Sequence, residues 1–205
     1  MPVYAIPLSE SAKYVYVARD GRDVAWSFHH YLSQYTDETR DLIHRTFDET
    51  LAGKPMKFEI PDTPREFYHK WLDFDGAGFG PFFDNIKTWW EVRDEPNVLM
   101  VHFNDLKENF EAELRRIAQF LGVDPNGLDI PRICYQCSFK YMKENAERFP
   151  PFNGRILKDG ARAFFNKGVN GRWTDVLEED EVRKYEDMVS QSLTDECAAW
   201  LKGVK

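Results

Sequence analysis

Cysteine is scarce, with three residues in a chain of 205. An odd, low count does not suit a disulfide framework and fits a reduced, cytoplasmic protein. Cys134 and Cys137 form a lone Cys-x-x-Cys. It has neither the preceding strand of a redox pair nor the second ligand pair of a zinc site, so both read as buried thiols. No apolar run approaches the about 18 residues of a membrane span. Nor does the chain open with the basic region and apolar core of a signal peptide. Positive charge is in deficit, 27 Lys and Arg against 35 Asp and Glu, for a net charge of −8. That excludes a general nucleic-acid binder, which needs many cationic contacts to phosphates. A local cluster could still hold one small anion. The five histidines have no ligand spacing, so no metal is expected. Repeats and low-complexity tracts are lacking too.

What is present is apolar and aromatic: 42% hydrophobic and 15% aromatic residues. This is enough for a globular core and one domain over residues 1–205. The chain is organised around Tyr14-Val-Tyr-Val-Ala-Arg-Asp-Gly-Arg-Asp-Val-Ala-Trp-Ser27. Residues 14–18 have the composition of a buried strand. Asp20 and Gly21 make a turn, and Asp23 is placed to cap the next helix. Val24, Ala25, Phe28, Tyr31 and Leu32 fall on one helical face. Arg19 and Ser27 are then left near the carboxyl edge of the sheet, where open α/β folds bind ligands. A guanidinium, a hydroxyl and helix-terminal N–H groups make a phosphate site. An ordinary βα unit with a surface arginine is the other reading of the same residues.

Residues 36–60 are polar with little continuous period. Thr63-Pro-Arg-Glu66 is a helix start, with a cap, a proline at the first helical position and a glutamate at the third. That helix runs to Leu72. Residues 73–80 form a glycine-rich loop in which no Gly-Lys-Ser/Thr follows, so it is not a phosphate loop. Residues 82–93 form a helix whose Phe82, Phe83, Ile86, Trp89 and Trp90 share a face. Residues 97–103 read as a second buried strand. Asp105 is expected to cap a helix that ends at Gly122. Residues 130–145 are mostly helical, 149–159 a loop, and 178–201 a terminal helix with an acidic start. Lys167-Gly168 and Gly171 again offer bare backbone beside cations. The two βα spacings predict an α/β fold with a mainly parallel sheet flanked by helices.

Four stretches resemble the cytosolic-type sulfotransferase family, in its order. Residues 14–27 are similar to the family's 3′-phosphate-binding segment. Val98-Leu-Met-Val-His-Phe-Asn-Asp-Leu-Lys-Glu-Asn109 is similar to a strand, turn and helix. Cys137-Ser-Phe-Lys-Tyr-Met-Lys-Glu-Asn145 resembles the adenine-side segment. Asn166-Lys-Gly-Val-Asn-Gly-Arg-Trp173 resembles the late Arg-Lys-Gly-x-x-Gly-Asp-Trp signature. The resemblance implies a P-loop nucleotide-hydrolase-like sulfotransferase fold and 3′-phosphoadenosine 5′-phosphosulfate as co-substrate, without a metal. It assigns Arg19, Ser27, Lys167 and Gly168 to the 3′-phosphate and Phe139 to stacking on adenine. Phe103, Cys137 and Asn166 stand at cofactor positions where the family has Tyr, Thr and Arg. Arg172 stands where the family has Asp, and with Arg162 it is a candidate to restore the charge lost at Asn166.

The family's phosphosulfate loop, Pro-Lys-Ser-Gly-Thr-Thr-Trp, has no counterpart, and Met1 falls just after the general-base His. The expectation is a bacterial-like member whose catalytic Lys and His lie before residue 1, with this chain inactive alone. A non-catalytic module binding 3′-phosphoadenosine nucleotides or a partner is the alternative. The implied reaction transfers a sulfuryl group to a hydroxyl of a small hydrophobic or phenolic acceptor. Phe74, Phe79, Phe82, Phe83, Trp89 and Trp90 are candidates to line its pocket, core packing being the other reading of each. An unpaired sheet edge would favour self-association. No nucleic-acid or membrane partner is expected.

Overall fold

Val and Tyr in residues 14–17 and Val98 and Val101 in 98–102 favour extended backbone, and the two segments pair as parallel strands. The computed structural model describes residues 1–50, 60–76, 81–148 and 155–203, and the side chains among these other than those of 44–50. Strands β1 (Tyr14–Ala18) and β2 (Val98–His102) run in register from Tyr14 opposite Val98 to Ala18 opposite His102. Both carboxyl ends therefore finish side by side. Arg19 and Phe103, the next residues of each, come together, with the guanidinium 4.6 Å from the ring centroid.

The helices are α1 (Gly21–Ser33), α2 (Asp37–Thr50), α3 (Pro64–Asp73), α4 (Phe82–Glu91), α5 (Phe103–Glu108), α6 (Phe110–Leu121), α7 (Ile130–Gln136), α8 (Phe139–Glu144), α9 (Glu179–Ser192) and α10 (Asp195–Leu201). None of the described helices is long and apolar enough to cross a membrane. The core gathers α1, α3, α4, α9 and α10 around Leu32, Phe67, Tyr68, Trp71, Ile86, Tyr185 and Leu201.

Several expectations are corrected. Strand β1 is buried only in part: Tyr14 and Tyr16 pack on Trp89, with ring centroids 5.9 and 5.2 Å away, while Val15 and Val17 are exposed. The cap of α1 is Asp20, whose carboxylate accepts from the Arg22 amide at 2.9 Å. The helix consequently starts earlier, and Asp23 is free to bond elsewhere. The buried face of α1 is turned from the expected one: Ala25, Trp26, His29 and Leu32 are buried, whereas Val24, Phe28 and Tyr31 are half-buried. The tilt follows from α3, whose Phe67 and Tyr68 meet His29 and Trp26.

Residues 37–50 are helical despite their polarity. Thr36 accepts from the Thr39 amide, and Asp37 and Glu38 favour the positive end of the helix dipole. The helix expected to reach Gly122 from Asp105 is two helices. His102 caps α5, and Asn109 leaves helical geometry to cap α6 through the Ala112 amide. Thr194 breaks the terminal helix in the same way, accepting from Cys197. Short polar side chains compete with the helical ladder for backbone donors, and here they win. The start at Thr63 and the left-handed stop at Gly122, with φ of 83°, stand as read from the sequence.

Candidate functional site

The site is built where the parallel strands end. Arg19 leaves β1, Phe103 leaves β2, and residues 164–172 cross over both. Together with α1 and α8 they line a cavity of about 250 Å³. Seven of the eight anticipated binding residues line it: Arg19, Ser27, Phe103, Phe139, Asn166, Lys167 and Gly168. Arg19 and Lys167, 148 positions apart in the chain, thus face one space. Cys137 does not line it. It is exposed at the end of α7, because Ser138 starts a new helix there. Cys134 is half-buried, so neither thiol is the buried group that composition suggested. Arg162 is exposed and does not line the cavity, whereas Arg172 does.

Arg19 is held on several sides. It donates to the Asn170 side-chain oxygen at 2.7 Å, lies 3.7 Å from Asp23 and sits over Phe103. Burial works against its charge, and Asp23 and Asp20 oppose that effect. Its Nε is buried with no hydrogen-bond partner among the described residues. Arg19 itself lines the cavity, where a guanidinium can form charge-assisted bonds to an anion.

The crossing segment is pinned from three directions. Lys107 donates to the Gly168 carbonyl at 2.7 Å, the Gly171 amide donates to Asp23 at 2.8 Å, and Asn170 donates to Asn104 at 2.6 Å. Gly168 has φ of 66°, and a Cβ there would lie 2.7 Å from the Phe139 ring. Glycine lets that ring pack directly on the backbone. Burial raises the Asp23 carboxyl, partly offset by Arg19 and the Gly171 amide. Burial also lowers the His30 imidazole, whose Nε2–H donates to the Ala163 carbonyl at 2.9 Å.

The sequence reading missed Asp23, Trp26, His30 and Tyr31 as lining residues. The signal was present: Asp23, Ser27, His30 and Tyr31 recur at helical spacing, a second face beside the core face. In the first turn of α1, Arg22 is buried against Asp20, with bonds of 3.0 and 2.7 Å, and lies 3.9 Å over the Trp173 ring.

A second cavity of about 410 Å³ shares the Arg19 and Phe103 wall and is lined by Tyr16, Val24, Phe28, Trp71, Phe82 and Ile86. Of the described aromatics expected to form an acceptor pocket, Phe82 alone lines it. Phe83 and Trp89 are core, Trp90 packs on Trp200, and Phe74 is exposed. Phe79 lies outside the described residues. Helical periodicity finds a shared face without saying which neighbour that face meets.

A cationic notch beside an aromatic pocket, at the carboxyl ends of parallel strands, suits a phosphorylated aromatic ligand. No cluster able to hold a metal ion occurs among the described residues.

The family model for the sulfotransferase domain matches residues 1–196. Sulfotransferase 1 family member D1 of Mus musculus is 30% identical over 199 residues, 91% of this chain and 60% of that protein. Sulfotransferase 1B1 of Mus musculus is 28% identical, over 95% of this chain and 59% of that protein. The chain thus spans about 60% of the length of these relatives. The crystal structure of mouse sulfotransferase SULT7A1 complexed with PAP superposes with a TM-score of 0.71 at 23% identity, covering 94% of this chain and 62% of that one. Retinol dehydratase in complex with androsterone and inactive cofactor PAP gives 0.70 at 23% identity, covering 95% and 52%. These likenesses establish the α/β fold.

Proposed function

The chain belongs to the sulfotransferase domain family, and from that membership we propose that it binds 3′-phosphoadenosine 5′-phosphosulfate and serves sulfuryl transfer to a hydroxyl of a small hydrophobic acceptor. The observation that carries this reading is the gathering of Arg19, Lys167 and Arg172 around the smaller cavity, where Asp23 is the one carboxylate among the described residues. The 3′-phosphate takes bonds from Arg19, Ser27 and Lys167, and Gly168 brings backbone close to it. Phe139, with Phe103 near Arg19, supplies aromatic surface for adenine. Asn166 lines the same wall.

The larger, mainly apolar cavity takes the acceptor, its shared Arg19–Phe103 wall bringing the two ligands together. The androsterone named for retinol dehydratase supports an apolar acceptor. In the reaction an acceptor oxygen bonds to sulfur as the bond from sulfur to the nucleotide's bridging oxygen breaks. Such a transfer depends on holding the two in line. The side chains described here bind and orient, and proton removal is not assigned to any of them.

Calorimetric titration tests the reading. Adenosine 3′,5′-bisphosphate should bind at least about tenfold more tightly than adenosine 5′-phosphate, since a hydrogen bond to a charged group contributes about 1.5–3 kcal/mol. Arg19→Ala should cost more of that difference than Ser27→Ala, and binding should weaken with salt. Equal affinity for the two nucleotides would refute the 3′-phosphate assignment.

A further inference from the structure

The cations around the smaller cavity differ in how they are employed. Lys107 is spent on the Gly168 carbonyl, and Lys143 reaches the Asn166 carbonyl at 3.4 Å. Both hold the crossing segment in place. Arg19 is shared among Asn170, Asp23 and the Phe103 ring. Arg172 and Lys167 are different, since neither side chain has an ion pair or hydrogen bond among the described residues, and Lys167 is the more exposed of the two. Arg172 lines the cavity and is half-buried.

Its backbone, by contrast, is fixed on both sides. The Gly171 amide is bonded to Asp23, and the Trp173 ring lies 3.9 Å from the Arg22 guanidinium. An unpaired, partly desolvated cation on an anchored backbone is a costly arrangement unless an anion completes it. The positive charge of Arg172 also acts on Arg19 and on His30, disfavouring charge on each. Both residues line the same cavity, which places the three groups around one space. Among the described residues a single carboxylate, Asp23, lines the cavity against Arg19, Lys167 and Arg172.

We propose that Arg172 is a direct ligand of the nucleotide's 3′-phosphate, completing a clamp of Arg19, Lys167 and Arg172 in a wall where Asn166 carries no charge. The proposal rests on reading the cavity as the 3′-phosphate site. Arg172 reaches the cavity from the crossing segment, whose Asn170 is bonded to Arg19 at the end of β1. Its planar fork can bind two phosphate oxygens at once.

The experiment is titration of the full chain with adenosine 3′,5′-bisphosphate and, separately, adenosine 5′-phosphate. Arg172→Ala should weaken the bisphosphate about tenfold, as expected for loss of a charge-assisted bond, and leave the monophosphate unchanged. The salt dependence of bisphosphate binding should flatten. Adding Asn166→Arg to the Arg172→Ala chain should recover most of the loss, because residue 166 lines the same cavity. A melting temperature equal to that of the parent chain separates lost ligation from lost folding. If Arg172→Ala leaves bisphosphate affinity unchanged while Arg19→Ala abolishes the preference, the clamp is wrong and the site stands. If the parent chain shows no preference for the bisphosphate, the site reading and the clamp fall together.

Discussion

Asp20→Asn isolates the buried pair on which α1 begins. Asp20 caps the helix and holds Arg22 by two bonds, with side chains only 12% and 7% exposed. Asparagine caps a helix about as well as aspartate, so this change removes the charge and spares the cap. Removing one partner of a buried ion pair costs about 3–5 kcal/mol, because the other charge is left uncompensated. Arg22 keeps Glu186 at 3.7 Å and stays stacked on Trp173 and Tyr185, which puts the expected loss near the lower end, about 3 kcal/mol. Asp20→Ala also loses the cap and should cost about 1 kcal/mol more. For a chain of this size each kcal/mol lowers the melting temperature by about 2–4 °C, so Asp20→Asn should fall by about 6–12 °C in calorimetry. Replacing both partners with apolar residues, Asp20→Leu with Arg22→Met, should cost less than Asp20→Asn alone, since no buried charge is stranded. A loss under about 1 kcal/mol for Asp20→Asn would mean that the pair is solvated and the argument is wrong.

Gly168→Ala forces a side chain into left-handed backbone and against the Phe139 ring, and the left-handed geometry alone costs about 1–2 kcal/mol. Phe139 is 37% exposed and can swing outward, so urea melts should show a modest loss while bisphosphate affinity falls more steeply. Burial lowers the His30 pKa from its ordinary 6.5. His30 thus contributes stability that is present above pH 6.5 and lost as pH falls through 6.5 toward the folded value, and His30→Gln should flatten that part of a stability–pH curve. Timed labelling of the native chain by a thiol reagent should modify exposed Cys137 first. Buried Cys197, whose thiol is pushed up to about 11, should resist until unfolding; equal rates would contradict its burial.

Local chemistry was readable from the residues alone. The alternation and β-branching of residues 14–18, the Thr63–Pro64–Glu66 start and the glycine stop at 122 act within a few positions, and the chain carries them wherever it goes. The resemblance of four ordered stretches pointed to the family, and with it to Arg19, Ser27 and Lys167. Positions depending on more than one segment were not readable. Which face of α1 is buried was decided by α3, through Phe67 and Tyr68. Which aromatic lines the larger cavity was decided by the packing of α4, which turns Phe82 outward and Trp89 into the core. Whether Asp105 or Asn109 capped a helix was decided by backbone geometry that either residue could have adopted. That Arg172 rather than Arg162 reaches the cavity was settled by two anchors distant in sequence, Asp23 on Gly171 and Arg22 on Trp173. A side chain's type is written in the sequence; what it faces is the outcome of all the contacts that compete for its backbone.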